Sequence, residues 1–209
     1  MESENNDVRK TFRKVGVFLS VVGILVIAFA LSQIPAQDVE FQGDGWDAAI
    51  TDLGGDFTLT GPEGAKVSLH DFKGKVALIF FGYTYCPEVC PMGLSDIASA
   101  IDMLGDRADD VRAIFISVDP ERDTPERLKE YTEFFHKNMI GLTGSHKEID
   151  KVTDQYASAY LIGKPDETGQ YSVGHTATTY LVDGNGEVRH MFSYGTPPEK
   201  MAEVIKKYL

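Results

Sequence analysis

Two unbroken apolar runs constrain this chain more than any other feature. "KVALIFFGYT" (75–84) and "VRAIFISVD" (111–119) have strand length and no polar face, the pattern of strands buried on both sides. Between them, Pro91 to Leu104 places Met92, Leu94, Ile97, Ile101 and Leu104 at helical spacing. Strand, helix and strand in that order predict a parallel crossover, and therefore a sheet covered by helices on its faces.

The neighbouring segments extend the pattern. "FTLTGPEGAKVSLHDF" alternates and turns at Gly61-Pro62-Glu63-Gly64, a hairpin signal. Thr124-Pro125 predicts a helix start, with the threonine as cap and proline at the first helical position. Ser145 with Glu148 reads as a capping box opening a further helix. "HTATTYLVD" (175–183) and "EVRHMFSY" (187–194) flank Asp183-Gly184-Asn185-Gly186, a hairpin turn. A last helix starts at Thr196-Pro197-Pro198-Glu199. The predicted order is β-hairpin, β, α, β, α, α, β, β, α: an α/β mixed sheet flanked by helices, in the order of a thioredoxin-like fold.

The N-terminus carries a different signal. Val15 to Gln37 holds no charged residue, and 15–34 reaches about 20 residues, enough to cross a bilayer core. Arg9, Lys10, Arg13 and Lys14 precede it, which keeps the tail 1–14 cytoplasmic and exports the chain beyond the span. The reading is an uncleaved transmembrane anchor over 15–34, a tether over 35–52 and one domain over 53–209. A cleaved signal peptide ending near Ala28-Phe29-Ala30 is the competing reading. Both place the domain in an oxidising compartment. The formal charge of −12 belongs to the domain, since residues 1–14 hold four bases and three acids. Nucleic acid is excluded as a partner because its phosphates require a basic footprint.

Cys86 and Cys90 are the two cysteines of the chain, in "GYTYCPEVCP" after the first apolar run. That places them at the carboxyl end of a strand, where α/β sheets carry their chemistry. Pro91 predicts a helix beginning at Pro91, with Cys90 at its cap and Cys86 in the loop before it. Both sulfurs then face a helix N-terminus, which favours thiolate. A structural staple is a poor reading, because a disulfide over three intervening residues closes almost no loop. A redox dithiol and a soft-metal site both remain, and the second needs a further ligand such as imidazole. His70, His136, His146 and His190 read as ordinary polar residues. His175 differs: it follows Gly174 at the start of the predicted strand 175–183, and that loop closes beside the cysteines in a thioredoxin-like order. Ligand and ordinary polar residue are both open readings for it at this level.

Three blocks together carry a resemblance. "GYTYCPEVCP", "ISVDPERDTPE" and "GHTATTYLVD", in that order, resemble the Sco/SenC family of membrane-tethered, thioredoxin-like copper proteins, from about Phe57 to Leu209. The resemblance implies one copper ion per chain, as Cu(I) or Cu(II), held by Cys86, Cys90 and His175. It implies work on the dinuclear copper centre of cytochrome c oxidase subunit II, by copper delivery, by reduction of that subunit's cysteines, or both. It implies an inner-membrane location, with the domain periplasmic or in the intermembrane space, and a thiol reductant as a further partner. Asp119 is carried over as a residue near the site, alongside a purely structural role in the turn before the next helix. Tyr85 stands where many relatives have another residue, and is expected to tune access to the metal. Thiolates and imidazole suit copper, and a disulfide between the same cysteines excludes the metal. Competing readings are a metal-independent thiol–disulfide oxidoreductase, in which His175 is dispensable, and redox signalling to a membrane sensor kinase. A thiol peroxidase lacks its Pro-x-x-x-Thr-x-x-Cys context.

Overall fold

The computed structural model describes residues 52–209. At its centre is a five-stranded sheet built from β3 (Val76–Gly82), β4 (Val111–Ser117), β5 (Met139–Leu142), β8 (Thr179–Val182) and β9 (Val188–Phe192), in the spatial order β5-β4-β3-β8-β9. β3 pairs parallel with β4 and antiparallel with β8, and β4 pairs parallel with β5. Every residue of β3 is buried, as its apolar run requires of a central strand. The parallel pairs are bridged by α1 (Val89–Asp102) and α2 (Pro125–Phe135), and β8 and β9 form the late hairpin. Outside the sheet lie the hairpin β1 (Thr58–Thr60) and β2 (Lys66–Ser68), a second small hairpin of β6 (Tyr160–Ile162) and β7 (Val173–His175), α3 (His146–Gln155) and α4 (Pro198–Ile205). The mixed sheet with flanking helices is the thioredoxin-like arrangement anticipated from the element order.

Local chemistry explains several boundaries. The Thr124 hydroxyl accepts from the Arg127 amide at 3.3 Å and caps α2, while Pro125 occupies the first turn. Ser145 and Glu148 exchange both bonds of a capping box at the start of α3. In the 183–186 turn, Asp183 Oδ1 accepts from the amides of Asn185 and Glu187, and Gly186 takes φ of 90°. Strand β5 was not anticipated, because its four residues carry too short an apolar pattern. It forms where α2 lies directly on Gly141: a Cβ there would come within 2.7 Å of Leu128 Cβ. The predicted strand 175–183 divides in two, with His175 ending β7 and the sheet strand beginning only at Thr179. Among the described residues no helix is long and apolar enough to cross a membrane. The predicted span at 15–34 lies outside the described residues.

Candidate metal centre

The centre forms where three chain segments meet at the carboxyl ends of β3 and β4. Cys86 lies in the turn after β3, its amide donating to the Tyr83 carbonyl at 3.2 Å. Helix α1 starts two residues earlier than Pro91 suggested, with Glu88 at its cap, so Cys90 sits inside the first turn. A proline is tolerated there, since its missing N–H would have had no intrahelical partner. No side-chain oxygen caps this helix. Instead the Cys90 amide donates to the Cys86 sulfur at 3.4 Å, so the sulfur takes the place of the usual serine or aspartate oxygen. Gly82 leaves the room that Cys90 needs. A Cβ at Gly82 would fall 2.6 Å from Cys90 Sγ and 2.7 Å from Phe115 Cε2.

His175 arrives from the other side on β7. Its Nε2 lies 3.2 Å from Cys90 Sγ, and its Nδ1 lies 3.2 Å from the Thr176 carbonyl. A carbonyl only accepts, so Nδ1 carries the proton and Nε2 keeps its lone pair toward the sulfurs. The ring stands edge-on to Phe80 and Tyr83, at centroid distances of 6.1 and 5.9 Å. The two sulfurs and the imidazole nitrogen all lie within 4.8 Å of one another, and among the described residues this is the one such group of potential metal-ligating side chains. The other histidines lie elsewhere. His136 pairs with Asp102, His146 with Glu121, and His190 packs on Phe192.

Electrostatics modify the sequence expectation. Cys90 is fully buried, and burial pushes its thiol pKa far above the ordinary range, with a further rise from the charge of Cys86. Desolvation is the largest influence at this position and favours the neutral thiol, so Cys90 is held as a thiol until something displaces its proton. Burial likewise lowers the pKa of His175 and keeps its imidazole neutral. A neutral imidazole and two sulfurs of which one resists ionisation form a set that a soft cation completes, because the cation supplies the positive charge that the burial lacks. The residues present fit a copper ion on these grounds.

The surroundings hold the three residues in register. Asp123 is buried and accepts from the Thr84 amide at 2.9 Å, the Thr84 hydroxyl at 2.6 Å and the Ser117 hydroxyl at 2.6 Å. It thereby fixes the loop that leads into Cys86, and burial raises its own pKa despite these donors. The carboxylate of Asp119 meets Arg122 at 2.5 Å and the Tyr171 hydroxyl at 2.8 Å. Tyr171 lies four residues before His175, so Asp119 reaches the β7 segment through it. The Tyr83 hydroxyl accepts from the Val173 amide at 3.3 Å, a second tie to that segment. Tyr85, 45% exposed beside Cys86, lies under two guanidinium groups, Arg122 at 4.8 Å and Arg127 at 4.2 Å from its ring centre.

Sequence reasoning named Cys86, Cys90, His175 and Asp119, and the structure brings the first three together. It missed Gly82, Tyr83 and Asp123. The parallel register pairs Gly82 with Ser117, so the residues just beyond each of them are neighbours. Asp123 lies six residues past Ser117, in the turn after β4, so no linear signal pairs it with Thr84.

Comparison with known proteins adds to this geometry. The family model described as SCO1/SenC matches residues 47–209. Protein SenC of Rhodobacter capsulatus is 36% identical over 192 residues, covering 91% of this chain and 86% of its own. The solved structure of Bradyrhizobium japonicum ScoI with copper bound is 44% identical, with a TM-score of 0.69 over 75% of this chain and 99% of that one. BsSco, described as a member of the Sco family of cytochrome c oxidase assembly proteins and as having a disulfide switch, is 29% identical. Its TM-score is 0.59 over 76% of this chain and 94% of its own.

Proposed function

This chain belongs to the SCO1/SenC family, and we propose that it binds one copper ion through Cys86, Cys90 and His175 and serves in assembly of the dinuclear copper centre of cytochrome c oxidase. The observation that carries the reading is the convergence of two sulfurs and an unprotonated imidazole nitrogen within 4.8 Å. Copper supplies the positive charge that makes ionisation of both thiols favourable in this buried place. The chain's own residues do the rest. The Cys90 amide and the Gly82 cradle place the two sulfurs, the Thr176 carbonyl selects the tautomer, and Tyr83 and Phe80 confine the imidazole ring.

On this reading residues 1–14 form a cytoplasmic tail, 15–34 an inner-membrane anchor and 35–52 a tether. The domain 53–209 then stands on the periplasmic side, or in the intermembrane space of a mitochondrion. The recipient is subunit II of the oxidase or a similar copper-centre protein, and a thiol reductant keeps the pair open for loading.

The test uses the full chain, reduced and loaded with Cu(I), against a competing chelator. The expected result is one retained copper per chain in the wild type. His175→Ala should weaken retention by more than the roughly 10–100-fold that changes around a metal's ligands typically cost. Equal retention without the imidazole removes His175 from the site and leaves the three-ligand reading without support.

A second reading is favoured by one observation, the half-buried Cys86 beside the fully buried Cys90. An accessible sulfur can attack a recipient disulfide, and the buried sulfur then displaces it. The recipient gains two thiols and this chain keeps the disulfide. That chemistry needs both cysteines and no imidazole. His175→Ala would leave it intact, so the same variant separates the two readings.

A further inference from the structure

His175 ends β7, which forms with β6 a two-stranded sheet of its own, apart from the central one. A lone two-stranded hairpin is marginal in water, and two of its side chains, Leu161 and Ile162, are exposed rather than packed. Its hold on the cysteine loop therefore rests on the segment that enters β7. Arg122, in the turn between β4 and α2, meets that segment. Its Nη1 donates to the Tyr171 carbonyl at 2.9 Å, and its Nε donates to Asp119 at 2.5 Å. Asp119 is fully buried and also accepts from the Tyr171 hydroxyl at 2.8 Å. The guanidinium carbon lies 3.6 Å from the centre of the Tyr171 ring, 4.8 Å from that of Tyr85 and 5.6 Å from that of Tyr83. Tyr85 adjoins Cys86, and Tyr171 lies four residues before His175. One planar cation thus touches both chain segments that carry the centre. Its remaining nitrogen, Nη2, is buried without a hydrogen-bond partner among the described residues, so the ring faces are what offset its lost hydration.

We propose that Arg122 is a positioning residue for the centre's third ligand: it clamps the His175 segment onto the cysteine loop. Three ligands close on one ion only if the imidazole already stands beside the sulfurs, and the arginine joins the two segments before any metal arrives. A lysine could pair with Asp119 but could do no more. Its compact ammonium has no fork to reach the Tyr171 carbonyl while stacking flat on the Tyr171 ring. Loss of the clamp withdraws the imidazole and spares the two sulfurs. The proposal rests on the copper reading and deepens it, because Arg122 then sets the balance between three-ligand copper binding and two-cysteine exchange.

Arg122→Lys in the full chain is the test, because it keeps a positive charge opposite the buried Asp119 and so guards the fold against an unpaired carboxylate. Cu(I) retention against a chelator should fall by about tenfold or more, the weight of residues that orient a metal's ligands. In a His175→Ala background the same change should have no further effect, since Arg122 acts through that imidazole. Loaded with Cu(II), the variant should show a weakened imidazole-nitrogen coupling in its electron paramagnetic resonance spectrum. In the metal-free chain, amide hydrogen exchange should quicken over residues 171–176 and stay unchanged in β3. Unchanged retention with unchanged nitrogen coupling overturns the proposal alone. An equal loss of retention with and without His175, or faster exchange throughout β3, makes Arg122 a support of the whole fold and also overturns it. A wild-type chain that retains no copper overturns the copper reading and this proposal with it.

Discussion

Helices α1 and α3 start in opposite ways. α3 opens on a capping box within its own first turn. Ser145 accepts from the Glu148 amide, and Glu148 accepts from the Ser145 amide at 2.7 Å and its hydroxyl at 2.8 Å. α1 has no oxygen cap at all. Its first turn is held by a sulfur acceptor on Cys86, and the loop before it is gripped by Asp123, which lies 39 residues away from Thr84. α3 is held by its neighbours in sequence, and α1 by its neighbours in space. The difference follows from use: an oxygen cap at the start of α1 would occupy the position that Cys86 needs. Stability that α3 obtains locally is supplied to α1 by a buried polar network.

The hold on the start of α1 is most vulnerable at Asp123. Asp123→Ala strips the acceptor from the Thr84 amide, the Thr84 hydroxyl and the Ser117 hydroxyl at once. The expected loss is about 3–5 kcal/mol, the sum of several unsatisfied buried donors. Denaturant unfolding of the reduced, metal-free chain measures it. A loss under about 1 kcal/mol would mean that the α1 loop is held locally after all.

The next contrast sets the two caps against each other. Ser145→Ala should cost about 1 kcal/mol, as the removal of a serine cap usually does. Cys86→Ser should leave metal-free stability within about 0.5 kcal/mol, because a hydroxyl can accept the same Cys90 amide. Copper retention by that variant should be abolished. A large stability loss in Cys86→Ser would instead make the sulfur a packing group.

The smallest effect is the pH dependence of the α3 cap. The Ser145 amide, the Ser145 hydroxyl and Lys66 lower the Glu148 pKa from 4.5 to about 2. A carboxylate with a depressed folded pKa stabilises the fold fully above its unfolded value, and that contribution is lost as pH falls through the folded pKa. Thermal midpoints of wild type and Glu148→Gln should therefore differ at about pH 6 and converge toward about pH 2. The start of α1 has no carboxylate of this kind, so its variants should show no parallel convergence. A constant difference down to about pH 2 would remove the carboxylate's charge from the account of the α3 cap.

Much of the fold is legible in the sequence because its signals are local. The apolar runs at 75–84 and 111–119, the threonine before Pro125, the Ser145–Glu148 box and the Asp183–Gly186 turn each act within a few residues. Each produced the predicted element within a few residues of its expected bounds. Strand β5 was not legible, because its formation depends on Leu128 of α2 fitting against Gly141. The start of α1 was misplaced by two residues for a related reason. The Pro91 signal is local, whereas the sulfur that accepts the Cys90 amide is held in place by the loop that Asp123 grips.

The centre divides in the same way. The linear pattern alone places two cysteines at the carboxyl end of a central strand, one turn apart, before a helix. It also determined that the element order brings a later loop beside them. Long-range packing sets the rest: Cys90 is wholly buried, burial raises its thiol pKa, and His175 Nε2 reaches its sulfur from 85 positions along the chain. Turns, caps and strand runs are set by interactions between residues close in sequence, which a linear pattern records. Desolvation and the meeting of distant side chains depend on how the whole core packs, which no local pattern contains.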